Sequence, residues 1–508
     1  RTMQDKPAKL KEFQTYIDGR WVNAASGKTF QTYDPYTGEP WALIPECDAQ
    51  DVNLAVEAAH RAFETGPWPA MSQTARGKLL RRIAGLIEKN ADYLAQIEVR
   101  DNGKLISEMN AQTKYMAEWF YYYGGLADKI QGAVVPIDRP DHFNYILREP
   151  VGVCTFILPW NSPLMLASWK LAPALAAGCT VVIKPSEYTS ASMLEFMRLV
   201  IQEAEVPPGV INVVTGFGAV TGEPLVTHPK VAKVAFTGGT ATGARVNELA
   251  AKTFKKVSLE LGGKSPNIVF DDAILDDAVS GAISGIFAAT GQTCIAGSRL
   301  LVQETIHDQF VEKLIAMARQ AKLGDPSKFE TQVGPVTTPP QYQKILSYID
   351  IAKGEGAKCV MGGGPAGAAE GGGKYFVKPT IFTGVDNKMR IAQEEVFGPV
   401  LSVIKFKDEE EAGQIANDVI YGLGSGVWTQ NINRAIRMSK RIRAGTVWVN
   451  TYRAVSFTMP FGGYKSSGLG RENGQSAIEE YLQTKSVWVN LQVGQGGNPF
   501  VMKTAAPS

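Results

Sequence analysis

The sequence predicts an α/β protein with a doubly wound parallel sheet, a second α/β domain and a small β element. Two patterns support this prediction: short β-branched runs alternate with helical patterns after Val151, and the alternation restarts after Gly262 and Gly263. Such alternation is typical of parallel sheets that are covered by helices on both faces. A chain of 508 residues that is 44% hydrophobic also supplies enough apolar material for two or three cores.

The first sheet is predicted to contain five strands, at residues 151–157, 179–184, 210–215, 231–236 and 256–261. Helices are expected between them at residues 163–177, 190–205, 219–227 and 241–251. Ligands of such sheets bind beyond the carboxyl ends of the strands. We therefore expect a binding site among the segments that follow the strands, at residues 159–161, 184–187, 215–216 and 237–239.

The second domain is predicted from helices at residues 275–289 and 306–321 and from strands at residues 267–270, 300–303, 380–382, 400–406, 426–428 and 446–450. Two short alternating segments, residues 142–148 and 485–491, fit neither domain. Each is expected either to pair with another subunit as an edge strand or to form a hairpin within the chain. The residues alone leave both alternatives open.

Charge and hydropathy argue against several classes of function. The 52 Lys and Arg residues against 50 Asp and Glu residues give a net charge of +2, so no nucleic-acid or membrane partner is expected. The longest mainly apolar stretch, residues 171–183, contains Pro173 and Gly178 and is shorter than the roughly 20 residues of a membrane helix. The first residues contain no apolar secretion signal, so a cytoplasmic protein is expected.

Cysteine and histidine usage argues against disulfides and metal sites. The five cysteines are scattered without a CxxC pair, and the four histidines include no HExxH motif. We therefore expect reduced thiols, no bound metal, and a carboxylate as any catalytic base. Residues 263–265 (GKS) lack the first glycine of a phosphate loop, and the usual GxGxxG fingerprint is absent.

Cys294 lies in a loop of small and polar residues, 291–299, between a predicted helix and a predicted strand. A substrate can approach a thiol in such a loop, which makes Cys294 a candidate nucleophile. Cys154 and Cys179, by contrast, lie in apolar strands and are expected to be packing residues. A structural role for Cys294 is the alternative.

Glu260 ends an apolar strand directly before two glycines. Carboxylates are rarely buried unless they are paired or functional, so Glu260 is a candidate base toward water with a raised pKa. The alternative is an ordinary strand-end carboxylate in solvent, and the residues alone do not decide between the two.

Seven motifs follow one another along the chain: residues 159–161 (PWN), 184–187 (KPSE), 236–238 (FTG), 259–266 (LELGGKSP), 291–294 (GQTC), 394–399 (EEVFGP) and 460–468 (PFGGYKSSG). In order and spacing they resemble the motifs of the NAD(P)-dependent aldehyde dehydrogenase superfamily, over about residues 13–490. Two positions depart from the pattern. Ser162 replaces an aromatic residue after the asparagine, and Gly239 replaces a serine.

The resemblance implies NAD-dependent oxidation of an aldehyde to a carboxylic acid. Cys294 would attack the carbonyl, Asn161 and the Cys294 backbone N–H would hold the oxyanion, and Glu260 would activate water to hydrolyse the thioester. Lys170 and Glu472 match proton-relay positions proposed for the family. The alternatives are a thiol hydrolase that uses Cys294 without redox chemistry and a noncatalytic protein on the same fold.

The resemblance also implies a NAD site without a glycine fingerprint. Glu187 would accept hydrogen bonds from the adenosine ribose and repel a 2′-phosphate, so NAD is expected in preference to NADP. Glu395 and Phe397 would hold the nicotinamide ribose. Further cofactor contacts are expected from Ile157, Leu158, Pro159, Trp160, Lys184, Ser186, Gly216, Gly222, Phe236, Thr237, Gly238, Gly239, Thr242, Gly243, Leu261 and Gly262.

The resemblance also implies that Arg453 lies in the aldehyde entrance. Its donors suit a carboxylate, which favours an aldehyde with an acidic far end; alternatively, Arg453 points to solvent or pairs with an acid of the protein. Ser162 and Val455 would leave room for a longer or cyclic substrate. By resemblance, the full set of substrate contacts is Tyr115, Ser162, Met165, Trp169, Thr293, Ile295, Arg453, Val455 and Phe461.

The resemblance divides the chain into three parts. These are a Rossmann-like NAD-binding domain (residues 1–130 and 151–262), a catalytic domain (263–475), and an oligomerisation element with a C-terminal tail (131–150 and 476–508). A homodimer or a homotetramer is implied, with strands 142–148 and 485–491 contributing across subunits.

Overall fold

The computed structural model describes residues 9–494 and 497–502. Residues 1–8 of the predicted NAD-binding domain, and residues 495–496 and 503–508 of the predicted tail, lie outside the described part. The fold is α/β, as predicted, and its described residues form two large, mainly parallel sheets and three smaller sheets. The division into three functional parts stays a prediction.

The first large sheet contains the five predicted parallel strands at its centre. Chain order reverses between Val153–Ile157 and Val231–Thr237, so a ligand is expected beyond the carboxyl ends of these two strands. The sequence did not predict the antiparallel strands at either edge. In sheet order the strands are Gly468–Leu469, Lys256–Glu260, Val231–Thr237, Val153–Ile157, Thr180–Lys184, Ile211–Val213, Thr15–Ile17 and Arg20–Val22.

The second large sheet is parallel except for its first strand. Its order is Lys358–Met361, Thr380–Thr383, Val400–Phe406, Arg299–Gln303, Pro266–Val269, Gly426–Trp428 and Trp448–Val449. The last strand is shorter than the predicted 446–450, and Asn450 directly after it has a left-handed φ of 53°. Two small sheets lie outside both large ones: Lys11–Glu12, Pro40–Pro45 and Thr29–Tyr33 form one, and Tyr421–Gly422 and Tyr464–Lys465 form the other.

The segment predicted at residues 142–148 is the middle strand of a three-stranded sheet. His142–Pro150 pairs with Leu482–Asn490 on one side and with Ala133–Val134 on the other. The expectation that it is an edge strand that pairs with another subunit is therefore wrong, because both of its edges have partners within the chain. Leu482–Asn490 keeps one edge without a strand partner in the described residues, and its Trp488 is exposed.

Local sequence signals account for several helix ends. Helix Pro163–Ala177 begins with proline and ends at Gly178, whose left-handed φ of 96° suits glycine. Asp48 and Ser72 cap the two helices that follow them. The described α-helices are Ala49–Glu64, Pro67–Ala70, Gln73–Asn102, Ile106–Tyr115, Ala117–Leu126, Pro163–Ala177, Ser190–Phe196, Glu223–Thr227, Thr240–Ala251, Leu275–Ile286, His307–Ala318, Pro339–Gly354, Arg390–Gln393, Glu409–Asn417 and Ile432–Arg441.

Four predicted helices differ clearly from the observed ones, and one of them, predicted at 306–321, is observed as His307–Ala318. The α-helix predicted at 190–205 ends at Phe196 and continues as a π-turn, Met197–Ile201, while a π-turn at Gly218–Gly222 precedes Glu223–Thr227. The helix predicted at 275–289 ends at Ile286, because the backbone turns left-handed three residues later. Among the described residues, no helix has the length and apolarity needed to cross a membrane.

Candidate active site

A cavity of about 400 Å³ lies between the two large sheets and contains the candidate nucleophile. All nine predicted substrate contacts line it, together with four of the five predicted catalytic residues: Tyr115, Ser162, Met165, Trp169, Thr293, Ile295, Arg453, Val455 and Phe461, and Asn161, Glu260, Cys294 and Glu472. Residues that are distant in the sequence therefore line one cavity, as expected for a single site.

A second cavity, of about 210 Å³, adjoins the first. It is lined by nine of the predicted cofactor contacts: Pro159, Trp160, Thr237, Gly238, Gly239, Leu261, Gly262, Glu395 and Phe397. The two cavities share five lining residues, which are Asn161, Leu166, Thr237, Glu260 and Cys294. The thiol thus lies at the junction of a cavity that contains four aromatic side chains, called the aromatic cavity, and a cavity that contains three glycines, called the glycine-rich cavity.

Cys294 follows an unusual turn. Ala289, Thr290 and Gly291 all have left-handed φ values, of 56°, 55° and 69°. Bonds from outside the loop hold this conformation: Glu108 Oε1 accepts from the Ala289 N–H at 2.9 Å, and the Gln292 side chain bonds to the backbone at residues 335 and 337. The half-buried thiol is therefore presented by a rigid segment.

Burial raises the pKa of the Cys294 thiol to about 12. The neighbouring carboxyl groups of Glu260 and Glu395 add to this increase, whereas the backbone N–H groups of Cys294 and Ile295 oppose it. In the protein alone, the thiol is therefore protonated at neutral pH, and nucleophilic attack requires a proton acceptor.

Glu260 is buried at the end of its strand, and neither carboxyl oxygen has a hydrogen-bond partner among the described residues. Burial raises its pKa well above the usual range, and Glu472 raises it further, while Lys170 and Arg471 lower it. The structure therefore favours the buried, perturbed carboxyl group over the alternative of a solvated strand end.

Lys170 and Glu472 form an ion pair that is almost completely buried. The ammonium group of Lys170 also donates to Thr237 Oγ1 at 2.7 Å, and Thr237 lines both cavities. This chain of polar groups reaches from the cavity wall beside Glu260 into the core. Such a chain can hold or pass a proton near Glu260.

Asn161 directs its side-chain amide toward the nucleophile loop. Its Nδ2 donates to the carbonyl of Gln292 at 3.2 Å, two residues before Cys294. The same nitrogen carries a second N–H, and Asn161 lines both cavities. The position therefore suits a donor to an oxyanion that forms at the thiol.

The second cavity contains the features that a dinucleotide needs. Helix Thr240–Ala251 begins beside it with Gly239 at the N-cap, and the described residues show no side-chain cap at this end, which suits a pyrophosphate. Glu395 Oε1 accepts from the Gly263 N–H at 3.0 Å, and Trp160 packs edge-on to Phe397. Glu187 lies 4.0 Å from the Lys184 ammonium, beside a separate cleft. These residues fit NAD(P).

Several predicted cofactor glycines are also required by packing. A Cβ on Gly243 would lie 2.3 Å from Leu261, and one on Gly216 would lie 2.1 Å from Thr221. The remaining predicted contacts, Ile157, Leu158, Ser186, Gly222, Phe236 and Thr242, lie at strand ends or helix starts around the same edge of the first sheet. The described residues contain no group of His, Cys, Asp and Glu suited to hold a metal ion.

Arg453 lines the aromatic cavity and also faces an acid of the protein. Its Nη1 lies 3.9 Å from Glu108 Oε1 and donates to the carbonyl of Ser284 at 3.3 Å. The structure thus shows Arg453 close to an acid of the protein, which was the alternative expected from the sequence. Arg453 nevertheless lines the substrate cavity.

The aldehyde dehydrogenase family model matches residues 21–487 of this chain. The chain belongs to this family. It is 48% identical over 496 residues to a dehydrogenase from Acinetobacter baylyi named for (Z)-2-((N-methylformamido)methylene)-5-hydroxybutyrolactone, with 97% of this chain and 100% of that protein covered. Family membership makes the chain an oxidoreductase and supports aldehyde oxidation.

Solved structures of the family superpose closely on the chain. An aldehyde dehydrogenase from Bacillus cereus in complex with NAD+ is 45% identical, with a TM-score of 0.92 over 95% of this chain and 97% of that chain. A betaine aldehyde dehydrogenase from Staphylococcus aureus in complex with NAD+ is 42% identical, with a TM-score of 0.93 over 96% and 97%. The Rossmann-like fold class and the recognition of the family are both confirmed.

Several residues of this aldehyde dehydrogenase site were not predicted from the sequence. Gln112 and Trp119 line the substrate cavity, and Gln341 and Lys344 line the second cavity. Gln112 is detectable in principle, because it lies one helical turn before the predicted contact Tyr115. Gln341 and Lys344 lie on helix Pro339–Gly354, for which the sequence analysis predicted no element.

Proposed function

We propose that this protein oxidises an aldehyde to a carboxylic acid with NAD as the hydride acceptor, through a covalent adduct on Cys294. The observation that carries the proposal is the junction of the two cavities. Cys294, Glu260 and Asn161 line both the aromatic cavity and the glycine-rich cavity, so one carbon bound to the thiol can face both. The catalytic roles below are part of this proposal.

Cys294 begins the reaction by forming a bond from its sulfur to the carbonyl carbon. The thiol is protonated in the protein alone, so its proton must pass to a neighbouring acceptor, for which the buried carboxyl group of Glu260 is placed. The carbonyl oxygen becomes an oxyanion that receives hydrogen bonds from Asn161 Nδ2 and the Cys294 N–H. The product of this step is a thiohemiacetal.

NAD, when bound, supplies the acceptor for the hydride that leaves the thiohemiacetal carbon. Loss of that hydride leaves a thioester on Cys294. The proton that Glu260 took from Cys294 first leaves the carboxyl group, so that Glu260 can accept a proton from water as the water oxygen adds to the thioester carbon. Glu260 returns this second proton to the Cys294 sulfur as the carboxylic acid leaves. The Lys170–Glu472 pair is placed to carry the Glu260 proton away from the cavity.

Two carboxylates would hold the cofactor ribose groups. Glu395 borders the second cavity, and Glu187 lies beside the cleft that also contains Phe217. A 2′-phosphate would meet the negative charge of Glu187, so we propose a preference for NAD over NADP. Removing that charge with Glu187→Ser is expected to raise kcat/KM for NADP at least tenfold, and an unchanged cofactor ratio would contradict the assignment.

We also propose a homodimer or a homotetramer. Strand Leu482–Asn490 has a free edge within the described chain, and its exposed Trp488 and Val489 lie next to exposed Phe143 of the neighbouring strand. A monomeric mass by light scattering at micromolar concentration would contradict this. The cytoplasmic location stays a prediction from the sequence.

The reaction is tested by following NADH absorbance with a panel of aldehydes. The parent protein is expected to form NADH and acid in equal amounts, and Cys294→Ala is expected to lose turnover while it still binds NAD. Cys359→Ala is the matched control, because Cys359 is half-buried on an edge strand of the second sheet and lines neither cavity. Substantial turnover by Cys294→Ala would refute the nucleophile.

A further inference from the structure

The segment that contains the proposed oxyanion donor is bonded to the end of helix Gln73–Asn102. Glu98 Oε1 accepts from the Leu164 N–H at 2.9 Å, and Asn102 Nδ2 donates to the Asn161 carbonyl at 3.5 Å. Both side chains that reach across from the helix are completely buried. The backbone around Asn161 is therefore held by residues from a distant part of the sequence.

Ser162 precedes helix Pro163–Ala177 without capping it. An N-cap serine commonly accepts from the first N–H groups of its helix, but the described residues show no such bond here, and Glu98 accepts from the Leu164 N–H instead. The Ser162 hydroxyl bonds away from the helix, since its Oγ accepts from Lys104 Nζ at 3.2 Å. An aromatic residue, as in the family pattern, would offer no Oγ for this bond.

Lys104 is a buried cation that is only 4% exposed and lines neither cavity. Among the described residues, its ammonium group has one hydrogen bond, which is the bond to Ser162. Burial lowers the pKa of Lys104, Glu108 and Glu98 raise it, and Arg453 lowers it. The ammonium group is therefore surrounded by charges of both signs, and Ser162 is the partner toward which it is directed.

Asn102 closes a ring of contacts with Asn161, Ser162 and Lys104. Its Oδ1 accepts from the Lys104 N–H at 2.9 Å while its Nδ2 donates to the Asn161 carbonyl, and its own carbonyl accepts from Thr337 Oγ1 at 2.5 Å. The bond to the Asn161 carbonyl is long and restrains the segment weakly by itself. The bond from Lys104 to Ser162 therefore supplies the second restraint on the Asn161–Ser162 unit.

The position of Asn161 matters because its amide must donate in a fixed direction. Its Nδ2 already donates to the Gln292 carbonyl at 3.2 Å, so one N–H remains for an oxyanion. Donors stabilise an oxyanion when they are held in place before the charge develops. A small shift of the Asn161 backbone would therefore slow formation of the adduct without removing any group that touches the substrate.

From this ring of contacts we propose that Ser162 and Lys104 are positioning residues, which hold the Asn161 amide where it meets the oxyanion. The inference rests on the proposed function, in which Asn161 donates to that oxyanion. It adds two residues that act through Asn161. It also gives a physical reason for the serine that stands where the family pattern has an aromatic residue.

The test measures the rate of NADH formation in a single turnover with two aldehydes, propanal and phenylacetaldehyde. Ser162→Ala is expected to lower this rate about tenfold for both aldehydes, because a small misplacement of a catalytic group can cost up to about a hundredfold. Ser162→Thr keeps the hydroxyl and is expected to stay within threefold of the parent. Ser168→Ala is the matched control within twofold of the parent, because Ser168 is buried on the same helix and lines neither cavity.

A double-variant comparison distinguishes positioning from a general loss of structure. Asn161→Ala removes the donor, so adding Ser162→Ala to it is expected to change the rate less than twofold. Lys104→Met is expected to slow NADH formation alone and to add nothing beside Asn161→Ala. Alkylation of Cys294 by iodoacetamide forms no oxyanion, so Ser162→Ala is expected to leave the alkylation rate within twofold of the parent.

The outcomes separate this inference from the proposed function. A parental rate in Ser162→Ala would overturn the inference, as would a tenfold effect that persists beside Asn161→Ala. A loss confined to one aldehyde would also overturn it, because that result indicates direct contact between Ser162 and the substrate. The Ser162 variants decide the matter if Lys104→Met does not fold. No oxidation of either aldehyde by the parent, or an unchanged rate in Asn161→Ala alone, would contradict the proposed function itself.

Discussion

The pH dependence of Cys294 alkylation tests the electrostatics of the site directly. The thiol is half-buried, and its pKa is raised to about 12 by burial and by the carboxyl groups of Glu260 and Glu395. Burial acts against the thiolate because it removes the water that stabilises the charge. In the protein without cofactor, Cys294 should therefore react slowly with iodoacetamide near neutral pH, and its rate should rise with every unit of pH.

The size of the effect follows from two opposing factors. Relative to a free cysteine thiol, with a pKa of about 8.5, the increase to about 12 lowers the thiolate fraction at pH 7 roughly 3,000-fold. A more basic thiolate is also more nucleophilic. With a Brønsted slope of about 0.45, this effect raises the alkylation rate roughly 40-fold and offsets part of the loss. The net expectation is alkylation about a hundredfold slower than that of free cysteine at pH 7.

The assay is mass spectrometry of the peptide that contains Cys294, after timed reaction with iodoacetamide between pH 6.5 and 10. A Cys359→Ser background removes the other half-buried thiol, and the remaining three cysteines are buried. The logarithm of the rate is expected to rise by about one per pH unit without a plateau. A plateau below pH 9, or a rate at pH 7 equal to that of free cysteine, would refute the reasoning.

Three further predictions concern the same site. Glu260→Gln should slow thioester hydrolysis by about 10²- to 10⁴-fold and should also slow the burst of NADH, because Glu260 accepts the Cys294 proton in the first step; an unchanged rate of hydrolysis in single turnover would contradict its role as a base toward water. Asn161→Ala should lower kcat about a hundredfold with little change in NAD binding, as measured by steady-state kinetics and titration. Lys170→Met should destabilise the protein by about 3–5 kcal/mol in urea unfolding, because it leaves Glu472 buried without its cation. Lys233→Met is the comparison at an equally buried lysine, and it should cost less, because its partner Glu480 lies 3.7 Å away and is 30% exposed, so water can solvate that carboxylate after the change.

Periodicity predicted the elements that are long or strongly apolar. Helix Pro163–Ala177 and strands Val400–Phe406 and Gly426–Trp428 have the predicted bounds, because their apolar runs end at clear breaks. The hairpin Thr15–Ile17 and Arg20–Val22 was missed. This hairpin joins the first sheet by pairing with strand Ile211–Val213, which is about two hundred residues away in the sequence. Because the paired strands are short and distant in sequence, the local sequence pattern does not predict the pairing.

The candidate site was predictable where it lies at strand ends. Asn161, Lys184 and Glu260 follow or end apolar strands of a parallel sheet, whose carboxyl ends meet at one edge. Gln341 and Glu108 were not predictable in the same way. Both lie on helices, and they reach the site only through packing between the two halves of the molecule, which a helical pattern does not reveal.

The left-handed turn before Cys294 shows why such packing matters for the chemistry. Ala289 and Thr290 have no sequence signal for positive φ, and each such residue costs about 1–2 kcal/mol in isolation. Glu108 helps to hold the turn, since its Oε1 accepts from the Ala289 N–H, and the same carboxyl group faces Arg453 at the substrate wall. The carboxyl group beside Arg453 is therefore bonded to the segment that contains Cys294. Removing this carboxyl group must alter the support of the turn, so Glu108→Ala should lower kcat for an aldehyde even though Glu108 does not line the cavity, and an unchanged kcat would contradict the argument.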